Sequence, residues 1–313
     1  MFKTTIKFLS IRRITTILSI VLMILSGLSL VTRGLNPGID FTGGFQIEVS
    51  FQEAPEIQQV RLDLSTSGFD DAIVQNSGSA TDLMIRTAPR EGVDSRKVGN
   101  QIIEAVSQSS NNVELLSSEY VSAQVGEELT EQGGLAMIFA LIMIMIYIVF
   151  RFQWKFSIGA VLALIHDVLI TLGIFSFFQI TFDLAVLAAI LAVVGYSLND
   201  TIVIFDRIRE NFRSMRRTET LEVLNASITQ TISRTIITSS TTLMVLLALY
   251  FMGGQSLSGF SVALIIGVLI GTYSSIFVAS TSVFYLDIST TDLLPSKREE
   301  VDDGMPKGEV NLE

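Results

Sequence analysis

Cysteine is absent from the 313-residue chain, and histidine occurs once. The first absence removes any disulfide framework or thiolate metal site, and the second removes a histidine-rich zinc centre. Lysine and arginine are missing from two short stretches, 179–183 and 253–259, each of which separates long apolar runs. What fills the chain instead is apolar. Hydrophobic residues make up 49% of it, too many for an ordinary soluble protein, and they gather in runs of membrane-spanning length.

These runs cover 15–32, 133–150, 156–178, 184–205, 235–252 and 260–286, so the sequence predicts an α-helical polytopic membrane protein with six transmembrane helices. Lys3, Lys7, Arg12 and Arg13 precede the first run. No small-x-small cleavage site follows it, and an uncleaved anchor is expected rather than a secretory leader. Arg151 and Lys155 lie between helices two and three, and Arg207, Arg209, Arg213, Arg216 and Arg217 follow helix four. By the positive-inside rule these segments are cytoplasmic, as are both termini, 1–14 and an acidic tail at 288–313. The basic connection 206–234 includes an amphipathic stretch at 221–232, and orientation or contact with anionic lipid explains it.

Residues 33–131 then fall on the far side. They hold six basic and sixteen acidic side chains, so this one stretch accounts for the whole net charge of −10. A solvated surface is the plain explanation of that acidity, and a specific site for a cation or basic partner is the alternative. FQIEVSF at 45–51 alternates as a strand does, and a helical stretch follows from Pro55 and Glu56 to about Ser67. Strand-like runs at 72–75 and 83–87, a helix at 95–107 and a strand at 113–120 complete a β-α-β-β-α-β order. That order predicts a ferredoxin-like α+β domain inserted between helices one and two, with two helices on one face of a four-stranded antiparallel sheet. Nothing in it looks catalytic.

The residue that most needs explaining is Asp200, inside the apolar run of helix four. A charge at hydrocarbon depth costs between about 3 and 15 kcal/mol and is kept mainly where it lines a pathway or meets a partner. Asp200 lies about 9 Å inside Asp206, where helix four meets the cytoplasm. A desolvated carboxyl is cheaper protonated, and a nearby cation reverses the preference. Arg234, at the cytoplasmic start of helix five, is the candidate cation, although a positive-inside anchor is an equal reading of it. Tyr196 and Ser197 share the face of Asp200, Asn199 and Thr201 flank it, and Thr238 shares the face of Arg234. His166 and Asp167, near the midpoint of helix three, support two readings: a place on a proton path, or an internally satisfied pair that pins helix three to a neighbour.

Two glycine patterns stand apart. Gly38, Asp40, Gly43 and Gly44, in GIDFTGG at 38–44, mark a specific backbone path where helix one leaves the membrane. It is either a turn needing positive φ or a docking turn that couples the outside domain to the helices, and the two are compatible. Gly267, Gly271, Ser275 and Ala279 form a small-residue stripe on helix six, suited to close helix packing.

GIDFTGG, His166-Asp167, VGYSLNDTIVIFDRIREN at 194–211, QTISRTIITSSTT at 230–242 and the helix-six stripe together resemble the SecF branch of the SecD/SecF family, part of the resistance-nodulation-division superfamily. The resemblance covers nearly the whole chain, and only the tail after Leu294 adds nothing to it. It implies a half-unit in the bacterial inner membrane whose six helices pair with six similar ones from SecD, with the 33–131 domain in the periplasm. The family's membrane Asp and Arg fall on Asp200 and Arg234, and His166, Asp167, Asn199 and Thr238 stand in support. The implied function is use of the proton motive force to assist Sec-dependent export after the ATP-driven step, with H+ as coupling ion and Na+ as the alternative. No cofactor, metal, nucleic acid or enzymatic activity is expected. The implied partners are SecD, the SecYEG translocon, YajC, the exported unfolded polypeptide and membrane lipid. Beside this reading stand a small-molecule or lipid exporter of the same superfamily and a non-transporting translocase scaffold.

Overall fold

The computed structural model describes residues 5–90, 95–107, 113–215 and 217–289. Lys3, Arg216 and the acidic tail from 290 onward lie outside the described residues. After α1 (Arg12–Arg33) come a two-residue strand β1 (Asn36–Pro37) and a one-turn helix α2 (Ile39–Thr42). A sheet domain follows: β2 (Gly44–Phe51), α3 (Ile57–Thr66), β3 (Ile73–Asn76), β4 (Asp82–Thr87), α4 (Ser95–Ser107) and β5 (Val113–Val121). The chain returns through α5 (Ala123–Arg151), α6 (Trp154–Phe178), a short strand β6 (Thr181–Phe182), α7 (Leu184–Ser214) and α8 (Thr220–Met252). The last span is α9 (Ser258–Ser274), which continues through a π-helical turn, Ser275–Ala279, into α10 (Ser280–Tyr285).

The alternation read at 45–51 becomes one buried face of β2: Phe45, Ile47, Val49 and Phe51 pack under Val60 and Leu64 of α3 and Val98, Ile102 and Val106 of α4. The sheet is antiparallel with strand order β3-β4-β2-β5, which is the order of a split β-α-β arrangement. Its polar face carries Gln46 and Glu48 and turns toward the helices. An irregularity between Glu48 and Val49 in the pairing with β5 re-aims the strand there.

Six helices among the described residues are long and apolar enough to cross a membrane, which with their hydropathy describes a multi-pass membrane protein. The helices α6 and α7 form the centre of the bundle, whereas α5 leaves almost its whole apolar surface outside. Around α7 pack α6, α8 and α9, and α1 lies against α6. At the end of the bundle away from the sheet domain, Phe152, Phe156 and Phe205 stack in a cluster that also holds Leu9, Phe212 and Ile228.

Three helices differ from the sequence expectation for a physical reason. No glycine or proline occurs between Asp206 and Met252, so little stops helix formation there. The expected connection 206–234 is accordingly mostly helix: α7 runs on to Ser214 and α8 already begins at Thr220. The polar residues at the start of α8 are buried rather than spread on a surface. Asn225 accepts from the Leu9 N–H (2.9 Å), and Ser227 accepts from the Asn211 side-chain amide (2.9 Å). Similarly, α5 begins at Ala123, where the Ser122 hydroxyl caps it by accepting from the Val125 N–H (3.3 Å).

Candidate ion-coupling site

The start of α7 is fixed by two carboxylates. Asp183 accepts from the Val186 N–H (2.7 Å) and Asp40 from the Leu184 N–H (3.0 Å), so the helix N-terminus is held from both its own chain and the GIDFTGG turn. From that anchored end the helix carries Asp200 about 25 Å along its axis. Asp200 is 3% exposed, and its Oδ2 has no hydrogen-bond partner. Arg234 of α8 is near enough for its charge to act on this carboxylate. No ion pair joins the two among the described residues, and the Arg234 side chain is exposed. Asp200 is thus a buried acid with one oxygen unpartnered and a cation within range of its charge.

His166 and Asp167 form a separate centre. Both are buried, and the Asp167 oxygens are fully engaged: Oδ1 with His166 Nδ1 (2.9 Å), Oδ2 as acceptor from Ser197 (2.5 Å) and Ser274 (2.7 Å). Ser274 is the last residue of α9 before the π-helical turn, and Ser275 bonds Thr201 (2.9 Å) from within that turn. The turn thus places two consecutive serines against α6 and α7, a use typical of π-bulges. Ser197, which shares a helix face with Asp200, therefore serves Asp167. The His166 ring stacks on Tyr273 with centroids 6.0 Å apart, and its Nε2 has no partner.

Of the supporting residues, Thr238 turns its hydroxyl back onto its own helix, donating to the carbonyls of Arg234 and Thr235 (3.0 Å each). Asn199 is exposed. It ends a stripe of exposed small residues on α7, Ala188, Ala192 and Gly195, that sequence reasoning missed. A Cβ added at Gly195 would meet nothing within 4 Å, so nothing in this chain's own packing requires the glycine. The alternating four- and three-residue spacing of small residues was the available signal. The helix-six stripe, by contrast, is used internally: Gly267 lies against Val193 and Gly271 against Ser197, drawing α9 onto α7.

In the glycine turn, α2 packs on the start of α5. Gly43 has φ 68°, and a Cβ there would come within 2.8 Å of the Ala123 Cα. Gly44, at φ 119°, would strike the Thr87 carbonyl oxygen of β4. Gly38 has an extended conformation, and its N–H donates to the Phe182 carbonyl (2.7 Å) beside the parallel β1–β6 pair. Both φ and close approach are therefore demanded, and the turn touches β4, α5 and α7 at once.

Comparison with known proteins covers nearly the whole chain. Residues 101–288 match a family model described as "Protein export membrane protein SecD/SecF, C-terminal", and residues 28–55 match one described as the "SecD/SecF GG Motif". The chain is 50% identical over 297 residues to a protein translocase subunit SecF from Vibrio alginolyticus, covering 95% of this chain and 94% of that one. It is 47% identical over 302 residues to the same subunit from Pseudomonas aeruginosa, covering 96% and 98%. Among solved structures, it superposes on crystalline SecDF from Thermus thermophilus, a translocon-associated membrane protein, with a TM-score of 0.82 and 34% identity. That match covers 92% of this chain but only 40% of the larger SecDF chain.

Proposed function

The chain belongs to the SecD/SecF family of protein export membrane proteins, and from that premise we propose that it is the SecF half of an ion-driven export device in the bacterial inner membrane. In this reading the sheet domain lies in the periplasm and the opposite end of the bundle, with both termini, in the cytoplasm. A SecD-like half supplies six more helices, and the assembly works beside the SecYEG translocon, with YajC a further associate. The proton motive force, acting after the ATP-driven step, draws the unfolded polypeptide outward or stops its return. The observation that carries this is Asp200: a buried carboxylate with one free oxygen, opposite a cation it does not touch.

Protonation is a switch only if it changes an interaction energy between states. An Asp–Arg pair closed to about 4 Å is worth roughly 4 kcal/mol at an effective dielectric constant of 20. Full switching of a two-state element takes about 5.5 kcal/mol, so this pair supplies most of the bias and the partner's helices the remainder. One charge crossing 100 mV releases about 2.3 kcal/mol, which is the same order. Arg234 and the stripe through Gly195 face outward, as expected of half a site.

The test is export by vesicles containing the full complex, under a proton gradient or a sodium gradient, for wild type and Asp200→Asn. Loss of the proton-driven component alone in the variant is the expected result, and loss of the sodium-driven one alone would reassign the ion. Undiminished gradient-driven export by Asp200→Asn would overturn the coupling role.

A further inference from the structure

A cavity of about 640 Å³ lies where the polar face of the sheet meets the ends of α6, α7 and α9. Four carboxylates reach it: Glu48 and Glu119 from the sheet, Asp40 from α2 and Asp183 from the start of α7. Among the described residues, no lysine or arginine lines it. Arg86, on the same sheet face, is spent elsewhere, donating to the Pro37 carbonyl and the Asn36 side chain (2.9 Å each).

Asp40 and Asp183 are accounted for as caps of α7, but Glu48 is not. It is 8% exposed, and no cation pairs with it among the described residues. Its carboxyl ionises less readily than an exposed one, first because it is buried and then because Glu119 and Asp82 stand near. Ser77 lies beside it, close enough to favour the charged form, yet the buried Ser77 hydroxyl closes no hydrogen bond of normal length. Glu48 thus presents an acidic group to the cavity with no cation beside it, and the neighbouring Ser77, 3% exposed, also lines the cavity with an Oγ that has no hydrogen-bond partner. Polar groups left unmatched at such depth are costly, and a cationic donor entering the cavity would offset that cost.

The donor is not a bare metal ion, because no three Asp, Glu, His or Cys side chains converge as a metal group among the described residues. The volume is that of a pocket for an organic group. A lysine or arginine offers several charge-assisted donors on a stem long enough to enter. We propose that this cavity receives a lysine or arginine side chain of the polypeptide being exported, as that polypeptide passes the outer face. This rests on the export reading above and gives the sheet domain a direct hold on its substrate.

The chain's lack of cysteine makes the test clean. Ser256 is exposed at the cavity rim, so Ser256→Cys in a complex with an otherwise cysteine-free partner gives one thiol to label with maleimide. The probes are an unstructured peptide containing lysines, the same peptide with glutamine in their place, and millimolar Mg2+ or Ca2+. The lysine peptide is expected to slow labelling at least fivefold at low salt, less so near 0.5 M NaCl, while the glutamine peptide has no effect. Glu48→Gln with Glu119→Gln is expected to abolish protection while labelling at the parent rate without peptide, which shows an intact fold. Equal protection by both peptides, or protection by the divalent ions and not by the lysine peptide, would overturn the proposal. No gradient is applied, so protection without gradient-driven export refutes the coupling reading and not this one.

Discussion

At the scale of single residues, the two intramembrane acids differ in what surrounds them, and they should answer differently to mutation. Asp167→Ala strands the hydroxyl of Ser197 and the Nδ1 of His166 and leaves Ser274 only its bond to the Gly271 carbonyl (3.1 Å). Loss of roughly 2–4 kcal/mol is expected, seen as a lower thermal midpoint of the purified complex. Asp200→Asn breaks no hydrogen bond at Oδ2 and removes a buried charge, so its midpoint should stay at or above wild type while coupled export fails. If both variants lost stability alike, Asp200 would be structural as well. The depth of Asp200 was legible in the sequence because a lone carboxylate interrupts an apolar run. The partners of Asp167 were not, since Ser274 is 107 positions away and reaches it beside a π-helical turn that no hydrophobic period encodes.

At the scale of elements, the glycines separate internal packing from a face left open. Gly43→Ala forces a side chain into left-handed backbone at a cost of about 1–2 kcal/mol and against the start of α5. Faster hydrogen exchange in α2 and the first turn of α5 is the expected reading. At Gly195, which is exposed, an added Cβ meets nothing within 4 Å, so in Gly195→Leu the fold should hold while copurification with the SecD-like partner falls; unchanged copurification would remove α7 from that interface. The β-α-β-β-α-β order was readable because strands of period two alternate with amphipathic helices. The helix at 206–214 and 220–234 was not, because the arginines and hydroxyls there read as a surface connection until Asn225 and Ser227 are seen to be buried.

At the scale of the molecule, the seating of the sheet domain should depend on pH. Glu48 holds its proton above its ordinary value of 4.5, mainly through burial. The cost of charging it is absent below pH 4.5 and complete once the pH has risen past its folded pKa, so seating is firmer in mild acid than at neutrality. Asp82 runs the other way: its hydrogen bond from Ser50 (2.6 Å) holds it below its ordinary 3.8, and its contribution is lost only as pH falls through that lower value. Larger protection factors for the β2 and β4 amides at pH 5 than at pH 7, after correction for the intrinsic pH dependence of exchange, are therefore expected, and Glu48→Gln should flatten the difference; a variant whose protection factors stay as pH-dependent as wild type would rule this out. The length of α8 has a mechanical side as well. Its 33 residues make a rod of about 50 Å, with Arg234 near the middle and the cavity-lining Ser256 just past its far end. A tilt of about 5° about Arg234 would swing that far end by roughly 2 Å, so one rigid rod joins the depth of Asp200 to the rim of the acidic cavity.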